Sequence, residues 1–269
     1  TLDTVFLMAS MTKAVTAVAA MQLVEQGRLE LDAPAHRVLP ALADVPVLDG
    51  YDGDRPRLRK AKRPMSLRHL LTHTAGHGYE FLDADVVRCQ EQLGLPSIFA
   101  GKRATLDLPL LFDPGERWCY GTSLDVAGLL VEAVSGQRLG DYMREHILAP
   151  LGMKDTGFTM SEDARARLAT IHARAPDGKL APAPLVLDQD PEQHMGGHGL
   201  YGTAGDYLRF VRMLLNDGQL DGVRVLRPET VALMNENHIG ELEVPAFQSI
   251  APHLCHSGEL FPGMVKKWG

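Results

Sequence analysis

The pattern of apolar positions predicts a buried helix near the start of the chain. From Ala14 to Met21 only Thr16 is polar, and a helix that is apolar nearly all round is normally buried rather than laid on a surface. Gly27 can adopt the left-handed conformation that ends a helix. We therefore expect a central core helix over this segment that ends near Gly27.

Other segments carry the periodicity or the capping residues of shorter helices. Ser66 is a typical N-cap for a helix through Leu71. Helical spacing of apolar residues and stop signals predict further helices, which cover 124–134, 139–147, the segment from Thr203 to Gly218, and a short helix opened by Arg227-Pro228-Glu229.

Strand signals are sparse along the chain. Thr4 to Met8 and Val223 to Leu226 are candidates, but no alternating series is long enough to predict a full sheet. Residues 42–65 are rich in Asp, Pro, Arg and Lys and lack periodicity. We expect these residues to form an exposed loop.

Composition excludes two classes of partner. A chain of 269 residues with 45% hydrophobic residues can bury a sizeable core. Its formal net charge of -7 argues against binding to a phosphate backbone, which needs clustered Lys and Arg. The longest apolar run without a charge, Ala14 to Val24, is shorter than the roughly 18 residues of a membrane span. We expect no nucleic acid and no membrane as partner.

The cysteines and histidines predict neither a disulfide framework nor a metal site. The three cysteines, Cys89, Cys119 and Cys255, form no CxxC pair and favour a reducing compartment, so we expect a cytoplasmic rather than a periplasmic or secreted protein. Close histidine pairs, such as His73 with His77 and His194 with His198, lack the HExxH arrangement of zinc hydrolases.

The sharpest chemical feature is the pair Ser10 and Lys13 at the start of the predicted core helix. A separation of three residues puts both on one helical face, where the amine can reach the hydroxyl. Lysine can activate a serine if burial lowers its pKa from about 10.4 towards neutrality. Backbone N–H groups at a helix start also favour a developing oxyanion. The pair therefore predicts an activated nucleophile.

The same spacing has an ordinary structural interpretation, an N-cap serine followed by a solvated lysine. Eight serines and eight lysines give about 0.24 chance occurrences of this spacing in the chain. Lys13, however, leads into an almost wholly apolar helix, where an unpaired charge is costly. This context favours the catalytic interpretation.

Two further segments are candidates for the same chemistry. Tyr120 lies in a Gly-containing loop ahead of a predicted helix, where its phenol could share proton transfer with Ser10 and Lys13; the alternative is an ordinary half-buried tyrosine. The segment Gly196-Gly197-His198-Gly199-Leu200 allows close approach of a ligand or another strand. Its alternative is a simple turn before the helix that follows.

Taken together, these segments resemble the β-lactamase-related serine hydrolases. The matches run in family order over nearly the whole chain: Phe6 to Lys13, Leu67 to Gly76, Pro114-Gly115-Glu116 with Tyr120, Pro150 to Met153, and Gly196 to Leu200 with Asp206. Within that superfamily, Val47 to Tyr51 and Tyr120 to Asp125 are most similar to the branch of family VIII carboxylesterases and lovastatin-type acyltransferases.

The resemblance implies a fold and a set of roles. The fold is α/β (α+β), of the β-lactamase/transpeptidase type, with a helical lobe beside an antiparallel-sheet lobe and the site between them. Residues 1–269 then form a single domain, with 1–32 and 196–269 in the α/β lobe and 33–195 in the mainly helical lobe. The implied roles are Ser10 as acylated nucleophile, Lys13 as its base and Tyr120 as proton relay to the leaving group, with no cofactor.

Two departures from the family pattern bear on function. The β-lactamases and penicillin-binding proteins carry Tyr-x-Asn, whereas Thr122 occupies the Asn position here, which favours ester over lactam chemistry. The strands before the nucleophile helix and a final strand with a Lys-Thr-Gly-like motif are not recognisable in the sequence. His256-Ser257-Gly258 lies upstream of where the family places that strand. We therefore expect a truncated domain with an incomplete sheet.

The favoured hypothesis is a serine hydrolase that cleaves or transfers small acyl esters through an acyl-serine intermediate. Its partner is a small-molecule ester, and its candidate substrate-binding residues are Tyr79, Trp118, Gly197 and His198; as an alternative, Tyr79 and Trp118 are core aromatics. Two other functions stay open, a β-lactamase or D-alanyl-D-alanine peptidase-like activity and a catalytically dead binding module. The sequence leaves open the acyl group, the acceptor and the oligomeric state.

Overall fold

Helices dominate the computed structural model, and its strands form short antiparallel pairs. The structure describes residues 1–175, 178–183, 185–252, 254–259 and 261–269. The α-helices are α1 (Thr12–Glu25), α2 (Leu67–Leu71), α3 (Ala84–Leu93), α4 (Ser123–Ser135), α5 (Leu139–Met143), α6 (Glu162–Ala166), α7 (Ala204–Leu215) and α8 (Pro228–Met234). The strands are β1 (Val5–Leu7), β2 (Val47–Asp52), β3 (Arg55–Arg59), β4 (His172–Arg174), β5 (Leu180–Pro182), β6 (Tyr201–Thr203), β7 (Gln219–Leu220) and β8 (Val223–Arg224).

The chain divides into two compact units. The first consists of residues 1–29 and 128–235, and the second of residues 30–127 and 236–269. In the described parts of the chain the strands form four two-stranded sheets, which pair β1 with β6, β2 with β3, β4 with β5 and β7 with β8. The lobes implied by the family resemblance stay a prediction.

The core of the first unit is built around α1. Val15, Val18 and Leu23 on this helix are fully buried, and burial of each such side chain contributes about 1.5–3 kcal/mol. After α1 the chain turns at Gly27, which has a φ of +68°, and Arg28 N donates to Leu23 O in the pattern that ends many helices. The predicted core helix is confirmed.

Antiparallel pairing of β1 with β6 joins the two chain segments of the first unit. Val5 lies opposite Thr203, and Leu7 lies opposite Tyr201. The side chain of Thr203 then caps α7 by accepting a hydrogen bond from the Asp206 amide. The loop before β6 is therefore held beside the turn that leads from β1 into α1.

The helix predictions agree with the structure in most places. Ser66 caps α2 within a capping box that includes His69, α4 ends before Gly136, which has a φ of +74°, and α8 starts with Pro228. The helix that begins as α5 continues through Leu148 with wider turns. By contrast, α3 was not predicted, because its charged sequence buries only Val86 and Cys89.

The expectation of an exposed loop over residues 42–65 is wrong, because β2 and β3 form a hairpin there. The two strands join through Gly53 and Asp54, and Gly53 has a φ of +60°, as two-residue hairpin turns require. Most side chains of the hairpin are exposed, so no apolar alternation marks it in the sequence. Cross-strand charge pairing supports it instead, since Arg57 donates to the Asp49 carboxylate at 3.2 Å.

An ion pair between half-buried Arg59 and buried Asp113 connects this hairpin to the rest of the second unit. The Asp113 carboxylate is fully buried and accepts two hydrogen bonds from Arg59, at 3.0 and 2.7 Å, and one from the Lys62 amide. The Arg59 guanidinium holds the pKa of Asp113 well below its usual range.

No helix in the described residues is long and apolar enough to cross a membrane.

Candidate active site

The turn between β1 and α1 places Ser10 at the surface of the first unit. A single 3-10 turn, Ala9–Met11, leads directly into α1. Ala9 has a φ of +46°, a left-handed conformation that costs residues other than glycine roughly 1–2 kcal/mol. The Ser10 amide belongs to the first helical turn, where N–H groups lack partners within the helix. This amide can therefore donate a hydrogen bond to an oxyanion that forms on a carbonyl group beside Ser10 Oγ.

Lys13 lies one turn further along and is only 8% exposed. Its Nζ donates to Ser10 Oγ at 3.1 Å and to the Gly197 carbonyl oxygen at 2.7 Å. At this separation the unprotonated amine can take the hydroxyl proton of Ser10. The carbonyl of Gly197 then stabilises the ammonium that forms. The solvated lysine of the alternative interpretation is not what the structure shows.

The loop from Gly196 to Leu200 lies along the start of α1. Thr16 Oγ1 donates to the Gly196 carbonyl at 2.7 Å, and the Leu200 amide donates to Thr12 Oγ1 at 3.1 Å. A Cβ on Gly199 would lie 2.7 Å from the Phe158 ring, so only glycine fits there. Close packing against the helix that carries Ser10 and Lys13 distinguishes this loop from a simple turn.

Gly197 contacts Lys13 through its backbone carbonyl. Its backbone is buried, and its carbonyl is occupied by Lys13. His198 is half-buried in the same loop, and its amide donates to Met195 O at 3.3 Å. The proposed contact of Gly197 and His198 with substrate stays a prediction.

Tyr120 belongs to the second unit, where it lies among aromatic rings. Its ring centroid is 5.4 Å from that of Tyr79 and 6.1 Å from that of Trp118, two of the predicted substrate-binding residues. His73 and Phe247 also approach it, at 4.7 and 5.6 Å. The structure therefore brings the three predicted residues of this unit together.

Burial distinguishes the three predicted aromatic residues. Tyr79 and Trp118 are 3% and 7% exposed, whereas Tyr120 is half-buried. Burial, with the negative charge of Asp125 as a smaller cause, raises the pKa of Tyr79 well above its ordinary value. Tyr79 is therefore a neutral phenol at physiological pH, and Tyr120 is the more accessible of the two tyrosines.

The chain around Tyr120 is held by backbone contacts. Cys119 N donates to His73 O at 2.8 Å, and a Cβ on Gly121 would overlap the carbonyl oxygen of His77. Thr122, at the position of the lactamase asparagine, is buried, and its carbonyl accepts from Asp125 N at the start of α4. A short hydroxyl side chain here cannot supply the two donors of an amide.

Sequence reasoning missed the aromatic surroundings of Tyr120 and the two threonines of α1. His73 has a φ of +58° and is fully buried, and Trp268 lies 5.4 Å from both His73 and Trp118. No local motif marks these contacts, because they join distant parts of the sequence. Thr16 did carry a signal, since a polar side chain in an apolar helix needs a partner.

The comparisons with known proteins identify the family. A profile described as beta-lactamase matches residues 1–247. This chain therefore belongs to the β-lactamase family, and the predicted fold class, an α/β (α+β) fold of the β-lactamase/transpeptidase type, is confirmed. Among solved structures, a mutant of simvastatin synthase from Aspergillus terreus is similar with a TM-score of 0.77 and 38% identity, over 88% of this chain and 57% of that one.

The curated relatives also agree with the branch indicated by the sequence. Monacolin J acid methylbutanoyltransferase of Aspergillus terreus is 36% identical over 96% of this chain and 64% of its own length. Lovastatin esterase of Penicillium rubens is 38% identical over 89% of this chain and 61% of its own length. The chain thus spans about three fifths of the length of these relatives.

Proposed function

We propose that this chain carries the nucleophilic part of a serine esterase or acyltransferase that acts on small acyl esters. The observation that supports this function best is the 3.1 Å contact between Lys13 Nζ and Ser10 Oγ, with Lys13 almost fully buried. The names of the relatives, a transferase and an esterase, describe the same class of acyl chemistry.

In the proposed first half-reaction, Ser10 Oγ attacks the carbonyl carbon of the ester while Lys13 takes its proton. The negative charge that develops on the carbonyl oxygen is stabilised by the amide of Ser10. The bond to the alcohol oxygen then breaks, and this oxygen takes up a proton through Tyr120, the role that the family resemblance implies. The products are acyl-Ser10 and the free alcohol.

In the second half-reaction, water or another alcohol attacks acyl-Ser10 and gives up its proton to the same groups. Water makes the enzyme an esterase, and an alcohol makes it an acyltransferase. Both acceptors use the same residues, so the proposal covers both outcomes. The product ratio in the presence of an added alcohol measures which acceptor prevails.

The test is labelling with a fluorophosphonate ester, followed by intact mass and a tryptic map. We expect one adduct on the peptide that contains Ser10, present in the Ser257→Ala control and absent from Ser10→Ala. Because catalytic residues act as a unit, Ser10→Ala should also lower p-nitrophenyl butyrate turnover by several powers of ten. A Ser10→Ala rate within about tenfold of wild type contradicts the proposal.

The same preparation separates the other functions. A folded wild-type chain that takes no label would contradict the proposal and favour a catalytically dead binding module. Nitrocefin hydrolysis faster than ester hydrolysis would identify a β-lactamase, against the expectation from Thr122.

A further inference from the structure

The face of α1 that carries Lys13 makes three hydrogen bonds to one loop. Thr16 Oγ1 donates to Gly196 O at 2.7 Å, Lys13 Nζ donates to Gly197 O at 2.7 Å, and Thr12 Oγ1 accepts from the Leu200 amide at 3.1 Å. Thr12 and Thr16 are both fully buried. The two threonines thus hold the loop on either side of the carbonyl that Lys13 contacts.

Thr16 has an ordinary partner within its own helix and contacts the loop more closely. Its hydroxyl lies 3.2 Å from the carbonyl oxygen of Thr12, one turn earlier, and 2.7 Å from that of Gly196. A hydroxyl has a single hydrogen to donate, and the shorter contact is the stronger hydrogen bond. The geometry therefore directs this hydrogen bond to the loop and away from the helix backbone.

Gly196 and Gly197 are adjacent, so the peptide plane that contains Gly196 O also contains the amide nitrogen and the Cα of Gly197. A hydrogen bond that fixes this plane leaves only the φ and ψ of Gly197 to place its own carbonyl, and the freedom of glycine in these angles is what the loop must lose to hold one geometry. We propose that Thr16 is a positioning residue, whose hydrogen bond to Gly196 O keeps Gly197 O in place to orient the Lys13 amine toward Ser10. This inference rests on the proposed function.

Loss of the Thr16 hydrogen bond should change the chemical step, and so kcat, more than substrate binding. An amine that donates one hydrogen to Gly197 O has its remaining directions restricted, and this favours a lone pair directed at the Ser10 hydroxyl. Loss of the Thr16 hydroxyl frees the loop and lets the amine rotate. A misplacement of about 1 Å at such a site can lower a rate about 100-fold.

The experiment compares Thr16→Val, Thr16→Ser and Thr105→Val with wild type. Valine keeps the shape of threonine without its hydroxyl, and serine keeps the hydroxyl. Thr105 is the matched control, because it is also fully buried and donates to a carbonyl, that of Ser97, at 3.2 Å. We expect Thr16→Val to lower kcat and the fluorophosphonate labelling rate about 10- to 100-fold with KM unchanged, and Thr16→Ser to restore both. We expect Thr105→Val to keep kcat and the labelling rate within twofold of wild type.

Folding is monitored by circular dichroism and thermal unfolding in every variant. Thr16→Val with labelling within twofold of wild type overturns the inference and leaves the proposed function standing. So does a folded Thr16→Ser that fails to recover, or a Thr105→Val that loses as much as Thr16→Val. A wild type that takes no label overturns the proposed function and this inference together.

Discussion

At the scale of single residues, the chemistry depends on how Lys13 is held. A lysine that is 8% exposed loses most of its hydration, and its polar contacts to Ser10 and Gly197 compensate in part. The lowered Lys13 pKa expected from the sequence stays a prediction.

Lys13→Arg tests whether this residue acts as a base. Arginine retains a positive charge and donors for Gly197 O, but its guanidinium stays protonated at any pH at which the protein is folded. We therefore expect kcat/KM for p-nitrophenyl butyrate to fall about 10²- to 10⁴-fold, the usual contribution of a general base. Thermal unfolding serves as the control, and a folded Lys13→Arg variant within tenfold of wild type would exclude the proposed role.

At the scale of elements, hydrogen bonds to the backbone hold the loops that carry the candidate groups. In the first unit the loop before β6 is bonded along α1. In the second unit the segment that contains Tyr120 is bonded to His73 O through Cys119 N. Glycine at 121 lets this segment approach the His77 carbonyl closely.

Gly121→Ala tests this close approach. Because the added methyl group overlaps a backbone oxygen, we expect the free energy of unfolding to fall by about 1–3 kcal/mol and Tyr120 to shift with the backbone. The matched control is Gly205→Ala in α7, where a Cβ meets no atom closer than 3.9 Å; there we expect a gain of about 0.5–1 kcal/mol. Urea unfolding measures both, and equal stabilities of the two variants would refute the steric explanation.

At the scale of the whole molecule, acid should weaken both units. Burial lowers the pKa of His77 in the second unit to about 4 and that of His194 in the first unit to about 4. His194 stacks on Phe158, and its Nδ1 accepts from Gly140 N at 3.1 Å, an arrangement that needs the neutral ring. Both imidazoles are therefore neutral in the folded chain.

These two groups contribute to the pH dependence of stability in the same direction. Between the ordinary pKa of 6.5 and the folded value near 4, the unfolded chain binds more protons, so stability falls as the pH falls through this window. A full shift of this size at His77 corresponds to roughly 3 kcal/mol. We expect His77→Asn to reduce the decrease in urea-unfolding free energy between pH 7 and pH 4.5 while the contribution of His194 remains, and an unchanged decrease would show that His77 does not contribute.

Elements held by local interactions were predicted from the sequence, and the β2–β3 hairpin was not. Local signals predicted α1, the cap of α2 and the short spacing of Ser10 and Lys13, because a cap, a helical period and a three-residue separation involve only neighbouring residues. The β2–β3 hairpin was missed because charge pairs and a single turn, rather than apolar alternation, hold it together.

The sequence by itself determined the family, the order of its motifs and the residue types of the candidate site. Only the tertiary structure decided that Lys13 is buried against the Gly197 carbonyl, that Thr16 holds the neighbouring carbonyl, and that Tyr79 and Trp118 surround Tyr120. The physical reason is separation along the chain. Lys13 and Gly197 are 184 residues apart, and contacts of that range arise from packing of the whole unit, which no local pattern of residues encodes.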